Sequence, residues 1–153
     1  MIVNINYSGQ LCGSTKHLKF RKFKPIQFIE KCDDYTIIIF KSGKCRIMGC
    51  KKKLCYLKPL RFKIENIKVQ SVTVVEKLNQ ILNLHKLSVM LDCDAMYEPE
   101  LFPALRFLKF NPMCVNIFST GKVIILGIRV DDCENIVSDI MNTILIYVDM
   151  LMW

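Results

Sequence analysis

The stretch IFKSGKCRIMG, residues 39–49, returns later in the chain as IFSTGKVIILG, residues 117–127. The two copies lie 78 residues apart, since Phe40 recurs as Phe118. In each copy, β-branched and aromatic residues precede a Ser-Gly-Lys or Thr-Gly-Lys turn, and a second apolar run follows it. Such runs on either side of a glycine-containing turn are typical of a β-hairpin. The pattern therefore predicts one hairpin that the chain builds twice.

The positions of polar side chains favour a three-residue loop in each hairpin. Side chains alternate between the two faces of a strand, so the loop length decides which of them share a face. A two-residue loop would put Arg46 beside Ile37 and Ile39 and make the faces of the two copies unlike. A three-residue loop gives both copies a wholly apolar face, formed by Ile37, Ile39, Cys45 and Ile47 in the first and by Val115, Ile117, Val123 and Ile125 in the second.

The opposite face of each hairpin carries large apolar side chains and few charges, and a lysine, Lys44 or Lys122, lies at its edge. An exposed face of this kind marks a binding surface. Alternatively, a second layer of structure covers it, as apolar faces usually are covered. The residues alone leave both interpretations open. The face holds Ile38, Phe40, Arg46 and Met48 in the first copy and Asn116, Phe118, Ile124 and Leu126 in the second.

Length and charge restrict the class of protein. With 153 residues, 52% of them hydrophobic, the chain can bury a sizeable core but is too short for two ordinary domains, so we predict a single domain over 1–153. A net charge of +8 favours a polyanionic partner, either nucleic acid or an anionic membrane surface. Asp139 and Asp149 interrupt the apolar C-terminal run, which favours an amphipathic helix over a membrane anchor.

The eight cysteines raise the question of disulfide bonds or a metal site. The N-terminus lacks the pattern of a secretory signal, so we expect reduced thiols in an intracellular protein. Zinc is the alternative, but no Cys-x-x-Cys occurs, and Cys45, Cys50 and Cys55 are five residues apart. We expect no metal and no cofactor. No convergent acid and base, activated nucleophile or phosphate loop indicates an enzyme.

Other parts of the repeat agree with the hairpins. The strings VNIN at 3–6 and ENIK at 65–68 correspond, and each is predicted to open its half as a strand. Phe23 precedes Phe40 by 17 residues, and Phe102 precedes Phe118 by 16. The predicted pseudo-repeats are therefore 1–59 and 60–153.

The predicted helices belong to the second half alone. Apolar spacing predicts a helix over 76–87 and a longer amphipathic segment over 130–153, whereas the first half has no comparable helix. Leaving the apolar face of the first hairpin uncovered would forfeit about 1.5–3 kcal/mol for each large side chain. The C-terminal helix, a second copy of the chain or a partner subunit could cover it. We predict that this face is a protein interface.

The string YEPELFPALRF at 97–107 resembles the stirrup segment of the TATA-box-binding protein family. The two hairpins and FKIENI at 62–67 occur where that family has its own, and the match is strongest over 62–127. The resemblance implies an α+β fold in which two quasi-repeats form one curved, antiparallel, saddle-shaped sheet. Helices would lie on its convex side, and double-stranded DNA would lie under its concave side.

The resemblance also implies a function, that of a transcription initiation factor that binds and bends A/T-rich promoter DNA through the minor groove. Guanine adds a protruding amino group to that groove, so a flat apolar floor tolerates A·T pairs and rejects G·C pairs. Residues 38, 48, 124 and 126 would form this floor. Phe23 with Phe40 and Phe102 with Phe118 resemble intercalating pairs, and the family is itself a standard example of such wedges. Without the resemblance, four core phenylalanines would be expected.

The remaining implied contacts are polar. A central asparagine pair and a basic rim would contact DNA, and these residues are Asn4, Asn66, Lys22, Lys44, Lys51, Lys122 and Arg129. Glu98, Glu100 and Leu101 occur where the stirrup meets a transcription factor IIB-like protein, which implies that protein and the RNA polymerase machinery as partners. Acidic residues on a protein that binds a polyanion fit a protein contact better than a DNA contact. An ordinary polar loop is the alternative.

The chain departs from the family where small or β-branched floor residues are expected, and its floor is more polar and cationic. That composition favours phosphate attraction, which is largely independent of sequence, over TATA selectivity. Two alternative functions follow: an interaction module that no longer bends DNA, and an accessory domain of a nucleic-acid enzyme. The abundance of Ile, Lys and Asn suits an A·T-rich genome. We hypothesise a large DNA virus as the source, and hence a nuclear location or a cytoplasmic viral factory. The departures are Asn6, Arg46, Met48, Lys68, Asn116 and Leu126.

Overall fold

The computed structural model describes residues 1–18, 27–54, 60–130 and 132–151. These residues form an α+β protein of β-strands and two α-helices, as predicted. The helices are α1, Leu84–Leu91, and α2, Glu134–Leu151. The strands are β1 (Ile2–Leu11), β2 (Gln27–Lys31), β3 (Thr36–Phe40), β4 (Lys44–Cys50), β5 (Ile64–Lys77), β6 (Ala95–Met96), β7 (Leu105–Phe107), β8 (Cys114–Ile117) and β9 (Lys122–Ile128).

The chain divides into two compact units. The first unit holds residues 2–72 and 129–131, and its strands follow the order β2-β3-β4-β1-β5. The second unit holds Met1, residues 73–128 and the chain from 132 onward, with the order β5-β9-β8-β7-β6. Strand β5 contributes residues to both units. The pseudo-repeats at 1–59 and 60–153 are a division of the sequence and stay a prediction.

Both hairpins have the predicted three-residue loop. In the first, Ile39 pairs with Cys45 across antiparallel strands, and in the second Ile117 pairs with Val123. Residues 41–43 and 119–121 are therefore the loops. Each ends in a glycine, Gly43 or Gly121, at φ +89°, a left-handed conformation that glycine adopts without steric cost.

Both return strands contain an irregular step near their ends. The register between β1 and β4 shifts between Ile5 and Tyr7, which indicates a β-bulge. Next to it, Gly49 has φ +78° and its N–H donates to Asn6 Oδ1 at 3.3 Å. Gly127 in β9 has φ +82°, and both strands show two successive exposed residues before a buried one.

Each hairpin has a buried core face and, opposite it, an open face. The predicted apolar faces are the core faces, because all eight of their side chains are at most 2% exposed. The expected protein interface on the first core face is wrong in its premise. Ile37, Ile39 and Ile47 are already buried within the chain, so the face is not uncovered, and the interface itself stays a prediction. The open faces are formed by residues 38, 40, 46 and 48 in the first unit and by 116, 118, 124 and 126 in the second.

Helix α2 lies within the predicted amphipathic segment and packs in the core of the second unit. Its buried residues Ile140, Ile144 and Val148 are four apart and form one stripe along the helix. The Tyr147 ring lies 6.1 Å from the ring of Phe107, measured between centroids. This contact seats α2 on the core side of β7.

The predicted helix over 76–87 is wrong in its bounds, because only residues 84–87 of this range are helical. Residues 76 and 77 belong to β5, and α1 begins only at Leu84. The Asn83 side chain caps α1, because its Oδ1 accepts a hydrogen bond from the Lys86 N–H at 3.1 Å. Among the residues of the first unit that the structure describes, no α-helix occurs.

Three further findings concern the described part of the chain. No helix in the described part of the chain is long and apolar enough to cross a membrane. Within the same residues, no group of three or more His, Cys, Asp or Glu side chains is arranged to hold a metal ion. Free thiols occur at Cys12, Cys32, Cys45, Cys50, Cys93 and Cys114.

Candidate nucleic-acid interface

The second predicted pair of phenylalanines meets at the open face of the second unit. The ring centroids of Phe102 and Phe118 are 6.3 Å apart, with the planes at 67°, an edge-to-face contact. Phe118 extends the hairpin ladder, since its N–H donates to the Lys122 carbonyl at 2.8 Å. Both side chains are half-buried. Of the first pair, Phe40 is half-buried beside the first loop, whereas Phe23 and Lys22 lie outside the described residues.

Arg106 joins this pair, and the sequence analysis missed it. The centre of its guanidinium lies 5.2 Å from the centroid of the Phe102 ring, a cation–π contact. Arg106 is exposed and pairs across the strands with Asn116 of the open face. The signal was present in the sequence, because Arg106 lies between two apolar residues and strict alternation along a strand places it on the face opposite to theirs.

The predicted apolar floor lies on the open faces. Met48 and Leu126, equivalent positions of the two copies, are both 37% exposed. Ile38 and Ile124 are half-buried. The assignment of these residues to one face of each hairpin is confirmed by the strand register. Their contact with DNA bases stays a prediction.

The open face of the first unit contains a polar groove of about 630 Å³. Its lining includes three cations, Lys44, Arg46 and Lys68, and no carboxylate. Such a concentration of one sign of charge attracts a polyanion. The Gln70 amide donates to Ser8 Oγ at 2.7 Å within this lining, which fixes one wall of the groove.

The two predicted asparagines differ in their surroundings. Asn66 is exposed, lines the polar groove and has φ +53°, a left-handed conformation that asparagine adopts more readily than most residues. Asn4 is half-buried in β1, and its Oδ1 is buried with no hydrogen-bond partner among the described residues. The neighbouring Asn6, by contrast, donates to Ser71 Oγ at 3.3 Å, so its amide has a structural role.

The predicted phosphate contacts are accessible. Lys44, Lys51, Lys122 and Arg129 are all exposed. Arg129 groups with the first unit, although it follows the second hairpin in sequence. Exposure lets each side chain meet an anion, although an exposed lysine is by itself weak evidence of binding.

The predicted partner loop is a tight turn with an exposed apolar tip. The Glu98 carbonyl accepts hydrogen bonds from the N–H groups of Leu101 at 2.9 Å and Phe102 at 3.0 Å. Glu98 and Glu100 are exposed, and Leu101 is 80% exposed. The turn therefore presents two carboxylates and one large apolar side chain to solvent while its backbone holds Phe102 in place.

Comparisons with known proteins agree with this geometry. Residues 66–146 match the family described as "Transcription factor TFIID (or TATA-binding protein, TBP)". The TATA-box-binding protein of Methanococcus maripaludis is 33% identical over 94% of this chain and 92% of its own. Those of Sulfolobus acidocaldarius and Sulfurisphaera tokodaii are 33% and 31% identical, and the chain spans only 56% and 61% of their lengths. The solved structure of Methanococcus jannaschii TBP shares the fold, with a TM-score of 0.73 and 24% identity over 97% of both chains.

Proposed function

Because the chain belongs to the TATA-box-binding protein family, we propose that it is a general transcription initiation factor that binds and bends A/T-rich promoter DNA through the minor groove. The observation that carries the proposal is the edge-to-face pair of Phe102 and Phe118 on the open face. The two apolar rings lie beside a strand end, and the Arg106 guanidinium contacts the Phe102 ring. Flat apolar rings in such a position could insert between neighbouring base pairs. The family is itself a standard example of this mode of binding.

The surrounding residues support the same activity. Ile124 and Leu126 offer an apolar surface that would leave the guanine amino group without a hydrogen-bond partner, a loss of about 1–3 kcal/mol. Exposed lysines such as Lys44 and Lys122 would neutralise phosphates and release counterions. The turn at residues 98–101 would bind a transcription factor IIB-like protein and so recruit RNA polymerase. Such a factor acts in the nucleus, or in a cytoplasmic viral factory if a virus encodes it.

A second function is favoured by the polar side chains of the open faces. Arg46 and Lys68 are exposed, and Asn116 is half-buried, at positions where an apolar floor would suit A·T pairs. An interaction module that has lost DNA bending would tolerate these residues. It would act only through protein contacts made by the turn at residues 98–101.

Energy transfer between dyes at the two ends of an A/T-rich duplex separates the two functions. We expect saturating protein to shorten the end-to-end distance and Phe118→Ala to reduce that bend while the fold persists. Phe62→Ala is the matched control: its ring packs edge-to-face on Phe28, 5.8 Å away, and Phe28 pairs with the buried Ile39. An unchanged distance with saturating wild-type protein would exclude the wedge and favour the interaction module.

A further inference from the structure

Arg46 is an exposed cation in the middle of the open face of the first unit. Its strand, β4, is the third of five in the order β2-β3-β4-β1-β5. In the register, Arg46 lies between Ile38 of β3 and Ser8 of β1. Lys44, by contrast, is the first residue of β4 and directly follows the hairpin loop. Arg46 therefore belongs to the middle of the face, and Lys44 to its edge.

No carboxylate in the described part of the chain forms an ion pair with Arg46. The groove of about 630 Å³ that Arg46 lines contains two further cations, Lys44 and Lys68, and no acidic side chain. A guanidinium carries five N–H donors and no acceptor. Arg46 therefore offers these donors, and one positive charge, to a ligand that covers the open face.

The neighbours of Arg46 suit a guanidinium that points away from the sheet. The amide nitrogens of two glutamines in the groove already donate within the protein, from Gln70 to Ser8 Oγ at 2.7 Å and from Gln10 to the Ser42 carbonyl at 3.4 Å. On the opposite side, Ile38 gives the aliphatic part of Arg46 an apolar surface beside it, and such stems pack well on apolar side chains. The charged end is left for the ligand.

The minor groove supplies the acceptors that such a group needs. An A·T pair presents only acceptors there, adenine N3 and thymine O2. Base edges form the floor of the groove and phosphates line its walls, so a side chain in the middle of the open face meets base edges first. Resting on the proposed function, we propose that Arg46 donates hydrogen bonds from its guanidinium to base acceptors on the floor of the minor groove.

Duplexes in which one adenine at a time carries C–H in place of N3 test this contact. Each modified duplex loses one acceptor and keeps its base pairs and phosphates. We expect the wild-type chain to bind at least one of them about tenfold more weakly than the natural duplex, the usual cost of losing a hydrogen bond to a charged group. Arg46→Met should bind that modified duplex and the natural one equally well. Affinities are measured by competition at fixed salt, because phosphate attraction depends on salt.

Lys44→Met is the matched control, because it removes the same charge from the edge of the same face. It should weaken binding to the natural and the modified duplexes by the same factor. Arg46→Met should melt near the wild type, since the side chain is exposed. If Arg46→Met responds to every modified duplex as the wild type does, Arg46 makes no base contact, and the inference fails while the proposed function stands. A wild-type chain that binds no duplex would overturn both.

Discussion

Burial controls the ionisation of Cys50, the last residue of β4. Its side chain is fully buried, and burial, with a smaller contribution from Asp34, raises the pKa of its thiol from 9.0 to about 11. In the unfolded chain the thiol ionises first as the pH rises, while the folded protein still holds its proton. The free energy of unfolding is therefore intact below about pH 9 and falls as the pH rises through the window between the two pKa values.

We predict a loss of roughly 2–3 kcal/mol from Cys50 between about pH 9 and pH 11. Urea unfolding at a series of pH values measures it, and Cys50→Val should remove that part of the slope. Burial and a hydrogen bond with Cys32 raise the pKa of Tyr35 to about 12. Its ionisation in the unfolded chain therefore lowers the free energy of unfolding only above about pH 10. If the free energy of unfolding of Cys50→Val depends on pH as that of the wild type does, then Cys50 ionises at the same pH in the folded and the unfolded chain.

Single residues of the candidate site were predictable to different degrees. Alternation along a strand locates Arg46 on the open face of the first hairpin, and Asn116 and Ile124 on that of the second, because it needs only the loop length. It also locates Arg106, once β7 is recognised. The left-handed backbone of Asn66 was not predictable, because asparagine adopts both hands and the neighbouring residues carry no turn signal.

At the scale of elements, the two hairpin turns share a backbone conformation but not an environment. A Cβ on Gly43 would meet only the end of the flexible Gln10 side chain, 2.5 Å from its Nε2. A Cβ on Gly121 would lie 2.4 Å from the Leu78 carbonyl oxygen and 2.6 Å from that of Gln80. The first obstacle can rotate away, whereas backbone carbonyls cannot.

We therefore predict that Gly43→Ala costs about 1–2 kcal/mol, the penalty of a left-handed conformation, while Gly121→Ala costs about 1–3 kcal/mol more from overpacking. Chemical denaturation of the two variants gives the comparison directly. Each variant is the control for the other. If both lose the same free energy of unfolding, the backbone around Leu78 moves to make room for the new methyl group.

The cap of α1 gives a prediction for an isolated element. Asn83→Ala removes the acceptor for the Lys86 N–H and should cost about 1 kcal/mol, or about 2–4 °C in melting temperature for a chain of this size. Asn83→Asp keeps the acceptor and should melt near the wild type. An unchanged melting temperature in the alanine variant would show that water replaces the cap.

The error over 76–87 has a physical origin at this scale. Val74, Leu78 and Leu82 are buried and four residues apart, which imitates one face of a helix. The same Val74 also alternates with Val72 as a strand residue, and only the cap at Asn83 marks where the helix begins. Periodicity cannot separate the two patterns over so short a segment.

At the scale of the whole molecule, the proposed partner contact of the turn at residues 98–101 and the proposed DNA contact of the open faces should be separable. We predict that Glu100→Arg weakens assembly with a transcription factor IIB-like protein by about tenfold or more, because it reverses one charge of a complementary pair. DNA affinity should not fall, since the turn is held by backbone hydrogen bonds that the substitution keeps. Gel-shift assays with and without the partner measure both steps.

Glu134→Arg is the control, because it makes the same change in net charge at an exposed position of α2. If the control weakens partner assembly equally, the effect is one of total charge. If Glu100→Arg weakens DNA binding as much as assembly, the turn does not act as a separate partner site.

The repeat made the loops and the two faces of each hairpin predictable before any contact was known. The α+β class was implied by the resemblance carried by residues 97–107. The part of the chain that covers the first core face was not predictable, because the sequence of the first half has no amphipathic helix pattern. The pattern of apolar residues shows that a face must be buried but not which part of the chain buries it.

Gly49 and Gly127 occupy the same place in the two copies and have nearly the same φ, +78° and +82°. A side chain with a Cβ is strained in this left-handed conformation, so both return strands depend on glycine at the step where two exposed residues precede a buried one. The two hairpins thus share one backbone requirement at the same step, while their open faces differ at Arg46 and Ile124.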